Sequence, residues 1–256
     1  VVRRRDAFER DPAAFTAEWQ AEDERTRLIR RVFASVAPRY DLMNDLMSMG
    51  IHRLWKRRLA REAAALPGQV VVDLAGGTGD VAALMTASGA EIMVCDPSLA
   101  MMNAGRLGKP SSVRWLAGTG ERIPLADNTV DTITIAFGIR NVTSLEGALQ
   151  EALRVLKPGG RFLCLEFSRP WAPIKPFYDL FSFTAIPRLG AWVARDPEAY
   201  TYLVESIRRF PDQREMQGIM EQAGFTAVSY RNVSISMAGL RRMVKAAGTY
   251  EEVPPH

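Results

Sequence analysis

Val70-Val71-Val72-Asp73-Leu74-Ala75-Gly76-Gly77-Thr78-Gly79-Asp80 is the stretch whose reading decides the fold. A β-branched run of this length suits a strand buried on both faces. It ends in a carboxylate and then in a turn rich in glycine, where the backbone can come close to a bound molecule. A helical pattern starts at Asp80, and the free N–H groups of its first turn would face that molecule. The spacing predicts a nucleotide-cofactor loop and leaves open which cofactor it serves.

Outward from this loop, strands and helices alternate. Strands are expected at 70–75, 91–95, 113–117, 131–137 and 161–167, with helices at 80–88, 98–107 and 143–156. Thr143-Ser144-Leu145-Glu146 has capping-box spacing, and Lys157-Pro158-Gly159-Gly160 reads as a stop. Such alternation implies an α/β, doubly wound, mostly parallel sheet with helices on both faces. Residues 28–66 read as N-terminal helices broken near Ala37-Pro38 and Gly50, and 1–27 as a weakly ordered arm. A Pro- and aromatic-rich insertion covers 169–197. Helices near 198–209 and 212–223 and strands at 225–233 and about 237–245 close the chain before a frayed tail at 248–256. No repeat or low-complexity linker divides 28–247, so one domain is expected.

The composition is that of an ordinary soluble globular protein: 47% of the 256 residues are hydrophobic and 24% charged. No apolar run is long enough to span a membrane, and the basic N-terminus turns acidic without the apolar core of a secretory signal. Cys95 and Cys164 lie in apolar strand-like runs and read as buried thiols, which fits a reducing, intracellular compartment. With only two histidines, His52 and His256, and no clustered cysteines, no metal site is expected. The net charge of +4 is uneven. His52-Arg53-Leu54-Trp55-Lys56-Arg57-Arg58-Leu59-Ala60-Arg61 is basic at helical spacing, which suits a solvated helix face or contact with an anionic membrane surface. It has too little aromatic interleaving to favour nucleic acid.

Gly77-Thr78-Gly79-Asp80-Val81-Ala82 also satisfies the dinucleotide pattern G-x-G-x-x-A. Three features weigh against a dinucleotide. Asp73 can meet a cationic amino-acid group but would repel a pyrophosphate. Cys95-Asp96 ends the next strand, where a carboxylate accepts two ribose hydroxyls, as either cofactor would require. The chain also ends in a strand hairpin, not in a second mononucleotide half.

Asp73 to Gly79, Asp96 and Arg154-Val155-Leu156-Lys157-Pro158-Gly159-Gly160 resemble the class I S-adenosylmethionine-dependent methyltransferases. The stretch from Val32 to Lys56, with Tyr40-Asp41 at its centre, resembles the N-terminal signature of the ubiquinone/menaquinone C-methyltransferases. Ile133-Thr134-Ile135-Ala136-Phe137-Gly138-Ile139-Arg140-Asn141-Val142, Arg161 to Ser168, and Tyr200 to Gln213 resemble further motifs of that family. The resemblance implies a Rossmann-like sheet of seven strands, S-adenosylmethionine as cofactor and methylation of a ring carbon on a polyprenylated quinol. It also implies a cytoplasmic enzyme held peripherally at the inner membrane, as a homodimer or within a quinone-synthesis complex.

On this reading Asp73 and the turn Gly76-Gly77-Thr78-Gly79 hold the amino-acid end of the cofactor, Asp96 holds the ribose, and Leu99 or Met101 packs on adenine. Arg140, at the carboxyl end of a strand, would stabilise a phenolate on the acceptor and Asn141 would orient the same oxygen. The alternative for Arg140 is a structural pair with a carboxylate such as Glu166. Tyr40 is a further candidate for the acceptor. His52 reads as packed or at the surface, not as a base, and the 169–197 aromatics as a wall for an isoprenoid tail or an ordinary apolar core. The chain departs from the family pattern at Thr119-Gly120, usually Asn or Asp then Ala, at Ala136, often Ser, and at Gly239-Leu240-Arg241-Arg242-Met243. These departures keep two alternatives open: another phenolic or polyketide acceptor, or a catalytically silent scaffold.

Overall fold

The computed structural model describes residues 50–167 and 209–232, together with Asp45, Ser206 and the backbone of 241–247. Within them the chain runs α1 (Ile51–Ala63), β1 (Val70–Leu74), α2 (Asp80–Met85), β2 (Glu91–Asp96), α3 (Leu99–Arg106), β3 (Arg114–Ala117), β4 (Val130–Ala136), α4 (Leu145–Val155), β5 (Leu156–Phe167), α5 (Gln213–Gln222), β6 (Thr226–Asn232) and β7 (Arg241–Ala247). The strands form one sheet in the order β3-β2-β1-β4-β5-β7-β6. β1 to β5 are parallel, and β7 runs antiparallel between β5 and β6. The order reverses between β1 and β4. A doubly wound sheet opens a crevice at the carboxyl ends of its strands at such a point.

Alternate strand residues feed two cores. On one face Val71, Ile92, Val94, Leu163 and Leu165 pack against Trp55 and Leu59 of α1, Val81 and Met85 of α2, and Met102 of α3. On the other, Val72, Leu74, Met93, Ile133, Ile135, Phe162 and Cys164 pack against Leu149 and Val155 of α4 and Met216 and Met220 of α5. Burial on both sides is why the strands read as continuous apolar runs. Cys95 and Cys164 are both buried, as expected of structural thiols.

Several boundaries differ from the sequence reading, each for a physical reason. The predicted helix 80–88 ends as an α-helix at Met85 and tightens to a 3-10 turn over Thr86–Ser88 before left-handed Gly89. The capping box expected at Thr143 is displaced by one residue. Ser144 is the N-cap, its hydroxyl accepting from Gly147 N at 3.0 Å, and Glu121 from another segment supplies the carboxylate to Thr143 N and Ser144 N. The Lys157–Gly160 stop is a bulge inside β5: Val130 pairs with Leu156 and Thr132 with Arg161, so four residues loop out opposite one. β7 starts at Arg241, about four residues later than expected, in antiparallel register with Phe167. The arm at 1–27, Tyr40, the insertion at 169–197, most of the helix expected at 198–209 and the tail at 248–256 lie outside the described residues.

The Arg154-to-Gly160 motif is structural. Arg154 donates to the carbonyls of Ile123 and Leu125 and pairs with Glu151 and Asp127, fixing the loop between β3 and β4. Lys157 pairs at 2.7 Å with Asp131, whose Oδ2 also accepts from Val70 N at the start of β1. Arg161 caps the last carbonyls of α1, where a cation complements the helix dipole.

Candidate cofactor and acceptor site

The carboxyl ends of β1 to β4 converge at the switch point, and two buried carboxylates organise them. Asp73, at 1% exposure, accepts from Thr134 Oγ1 on β4 at 2.9 Å and from Ala82 N on α2 at 3.2 Å. Asp96, at 6% exposure, accepts from Gly77 N at 2.8 Å and from Ser98 N at 2.7 Å. The turn is thus tied to both neighbouring strands. It is also too tight for side chains. A Cβ on Gly76 would stand 2.8 Å from Asp73 Oδ2, and one on Gly79, at φ 75°, would stand 2.8 Å from the Trp115 ring.

Two non-glycine residues are held at positive φ beside this turn: Ala75 at 49° and Phe137 at 58°, one just past β1 and the other just past β4. Their N–H groups donate to Cys95 O and Leu165 O, so the neighbouring strands hold them there. Strain of this kind costs about 1–3 kcal/mol per residue and gathers at ligand sites. Gly138 completes the crossing, since a Cβ on it would lie 2.6 Å from Ala75 Cβ.

Burial raises both carboxyls. Desolvation pushes Asp73 up to about 7, against the opposing pull of the Thr134 and Ala82 hydrogen bonds and the nearby Lys56 cation. Asp96 rises to about 6 for the same reason, opposed by the Ser98 and Gly77 N–H groups. Asp80, the first residue of α2, behaves oppositely. Burial would raise it, but Lys56, at 2.8 Å, and Lys109 outweigh that and hold it well below the usual carboxylate range.

The remaining predicted residues flank this centre. Thr78 is buried, its carbonyl against Gly105 of α3. Thr119 is half-buried in a small loop closed by backbone bonds to Arg122, and Gly118 N donates to Asp96 O, which brings this loop beside the Asp96 carboxylate. At Gly120 the family's usual methyl has no room, for a Cβ there would fall 2.8 Å from Val142 Cγ1. Ala136 ends β4, half-buried. Met101 is buried with Cε close to Gly77, whereas Leu99 is 56% exposed. Arg140 lies in the 3-10 turn Ile139–Asn141 and makes a buried ion pair with Glu166 at 2.6 Å, the structural pairing that the sequence left as its alternative. Asn141 Nδ2 reaches Phe137 O at 3.5 Å. His52 is packed, 2% exposed, with Nδ1 3.6 Å from Asp45 Oδ1. Among the described residues no group of three or more His, Cys, Asp and Glu side chains could hold a metal ion.

Sequence reasoning missed Thr134, the Lys56–Asp80–Lys109 cluster and Trp115. The one legible signal was Thr134, a polar residue between the apolar Ile133 and Ile135.

The sheet order and the braced glycine turn define a class I methyltransferase. The model of the ubiE/COQ5 methyltransferase family matches residues 19–245, and the chain belongs to that family. It is 58% identical over 238 residues to the ubiquinone/menaquinone biosynthesis C-methyltransferase UbiE of Rubrivivax gelatinosus, covering 92% of this chain and 95% of that one. It is 50% identical over 229 residues to the enzyme of the same name from Caulobacter vibrioides, covering 84% and 90%. The fold is also that of a SAM-dependent methyltransferase from Thermotoga maritima, with a TM-score of 0.62 at 20% identity, covering 86% of this chain and all of that one. The protein is a methyltransferase whose donor is S-adenosylmethionine. The cradle without Cβ atoms and the two buried carboxylates fit that group, which carries a cationic amino-acid end and a ribose.

Two outcomes follow. Gly138→Ala forces Ala75 away and should weaken S-adenosylmethionine binding by about tenfold or more, with a stability loss of about 1–3 kcal/mol; calorimetric affinity equal to the parent would refute the close-approach argument. The second concerns protons. Near pH 6, Asp73 is mostly protonated in the free protein. A cationic ligand favours its charged form and so releases a proton, and affinity should rise as pH climbs from about 6 to about 7.5. Binding enthalpies measured in buffers of different ionisation heat report that release, and identical enthalpies would contradict it.

Proposed function

We propose that the protein methylates a ring carbon of a polyprenylated quinol, demethylmenaquinol or 2-methoxy-6-polyprenyl-1,4-benzoquinol or both, in quinone biosynthesis. The identity of 58% to the Rubrivivax C-methyltransferase across nearly the whole of both chains carries this reading. S-adenosylmethionine, when bound, supplies an electrophilic sulfonium methyl.

The chain's own groups then have two tasks. Asp73 neutralises the amino group of the donor, and the backbone of Gly76, Gly77, Thr78 and Gly79 lines its amino-acid end. Each Asp96 oxygen holds one backbone N–H. A carboxylate has about four acceptor sites, so capacity remains for the ribose hydroxyls. Thr119, Gly120 and Ala136 border the adenosine side. Arg140 and Asn141 serve the acceptor, where the guanidinium favours a phenolate and so pushes electron density onto the ring carbon. Tyr40 is assigned to the same acceptor from the sequence signature alone.

We further propose peripheral membrane contact through the outer face of α1. Arg53, Leu54 and Arg57 are exposed there, with Leu54 at 59%. Arg53, Lys56, Arg57 and Lys109 line an adjoining open pocket of about 330 Å³. No helix among the described residues is long and apolar enough to cross a membrane.

Labelled S-adenosylmethionine offered with a panel of reduced quinones should place a new methyl on the quinol ring, located by mass spectrometry. Arg140→Met should lower turnover by about a hundredfold or more while cofactor affinity changes little; equal losses in both would remove Arg140 from the acceptor side. For the membrane, vesicles containing about one-third phosphatidylglycerol should retain the protein in a salt-sensitive way. Charge reversal at Arg53 and Arg57 should release it, and equal retention on neutral vesicles would overturn the proposed face.

A further inference from the structure

Asp80, the first residue of α2, bridges two cations. Lys56 of α1, only 7% exposed, donates to its Oδ2 at 2.8 Å, and Lys109, in the segment after α3, pairs with its Oδ1. Around this bridge Arg53, Lys56, Arg57, Asp80, Leu84 and Lys109 line one pocket of about 330 Å³. That volume falls in the range of about 300–1,000 Å³ usual for small-molecule sites.

The charges of the pocket do not balance. Arg53 is held by Asp45, through Nε at 2.8 Å and Nη2 at 2.5 Å. With Asp45 counted beside Asp80, four Lys and Arg cations meet two carboxylates. The excess falls on two residues. Arg57 is exposed and has no ion-pair or hydrogen-bond partner among the described residues. Lys109 gives Asp80 one of the three donors that an ammonium carries. A guanidinium from α1 and an ammonium from beyond α3 therefore share one concave site with a buried third cation. The same site has apolar company. Leu84 of α2 lines it at 44% exposure, and Leu54, three residues before Arg57 on α1, is 59% exposed.

We infer that this pocket seats the phosphate of an anionic phospholipid headgroup, with Arg57 and Lys109 on its oxygens and Leu54 and Leu84 toward the acyl region. This rests on the membrane contact proposed above and deepens it, because it turns a charged face into a headgroup site. A phosphate suits these donors better than a carboxylate does. It offers more acceptor oxygens, which a guanidinium grips in bidentate fashion and an ammonium meets as a point charge. A free phosphate would satisfy the cations and leave both leucines in water, whereas a lipid covers cations and leucines together.

The test compares two vesicles of equal surface potential. Both are phosphatidylcholine, one with about one-third phosphatidylglycerol and the other with ionised fatty acid added until the zeta potentials match. Diffuse attraction acts alike on the two. The wild type should bind the phosphatidylglycerol vesicles about tenfold more tightly, the scale of hydrogen bonds to a charged group. Arg57→Gln and Lys109→Gln, neither at a buried position, should each cut that preference to about threefold or less. Arg61→Gln removes the same charge from α1 outside the pocket, and it should weaken binding to both vesicles alike and keep the preference. Equal binding of the two vesicles by the wild type would leave the membrane face standing and overturn the headgroup site. So would a preference that survives both pocket substitutions, or one lost equally in Arg61→Gln. Inorganic phosphate that saturates the wild type in calorimetry, with no preference between the vesicles, would give the pocket to a soluble phosphate and overturn the lipid. A wild type that binds neither vesicle would overturn the membrane contact itself, and this inference with it.

Discussion

A single hydrogen bond, from Gly77 N to the buried carboxylate of Asp96, fixes the relation on which the site depends. It fastens the turn after β1 to the end of β2. The second carboxylate, Asp73, fastens the same turn to β4 through Thr134 and to α2 through Ala82. With these bonds in place, the turn has only the narrow space between Trp115, Met101 and Asp73, and glycine alone fits its crowded positions. The chain therefore uses two charged groups as internal struts, and burial raises both of them toward neutrality. A cationic partner at Asp73 relieves part of that cost.

Alternation of strand and helix was legible because the sheet is covered on both faces, which writes each parallel strand as an apolar run ending near a polar residue. The glycine turn, Asp73 and Asp96 were legible for the same local reason, since each stands at or just past the carboxyl end of an apolar strand run. Partners supplied from afar were not legible. Thr134 meets Asp73 across 61 positions, a contact set by the register in which Asp73 lies opposite Thr134 on β4. Glu121 took the role that the local pattern assigned to Glu146, and the Lys157–Gly160 stop proved to be a bulge that lets β5 begin directly on the end of α4. In each case the local rule named the right chemistry, and tertiary register chose which residue supplies it.

Arg140 shows where such reading divides. Its position after a strand marked it for the acceptor, and its charge marked it for a carboxylate. The structure satisfies the second claim with Glu166, through one contact of the pair, and two of its atoms have no hydrogen-bond partner among the described residues. A purely structural ion pair gains by using its full hydrogen-bonding capacity, since burial makes every unmet group expensive.

The two halves of the site therefore use opposite strategies. Around the glycine turn, both carboxylates are braced by backbone and hydroxyl hydrogen bonds, and Ala75 and Phe137 are held at positive φ. At the ends of β4 and β5, the ion pair is made through one contact, Arg140 Nη1 to Glu166 Oε1. Phe137 joins the halves: its strained backbone borders the glycine turn, while its ring packs on Phe167 beside the ion pair. Its backbone is in turn held by Leu165 of β5, adjacent to Glu166. Register along β4 and β5 thus sets the glycine turn and the ion pair in one frame.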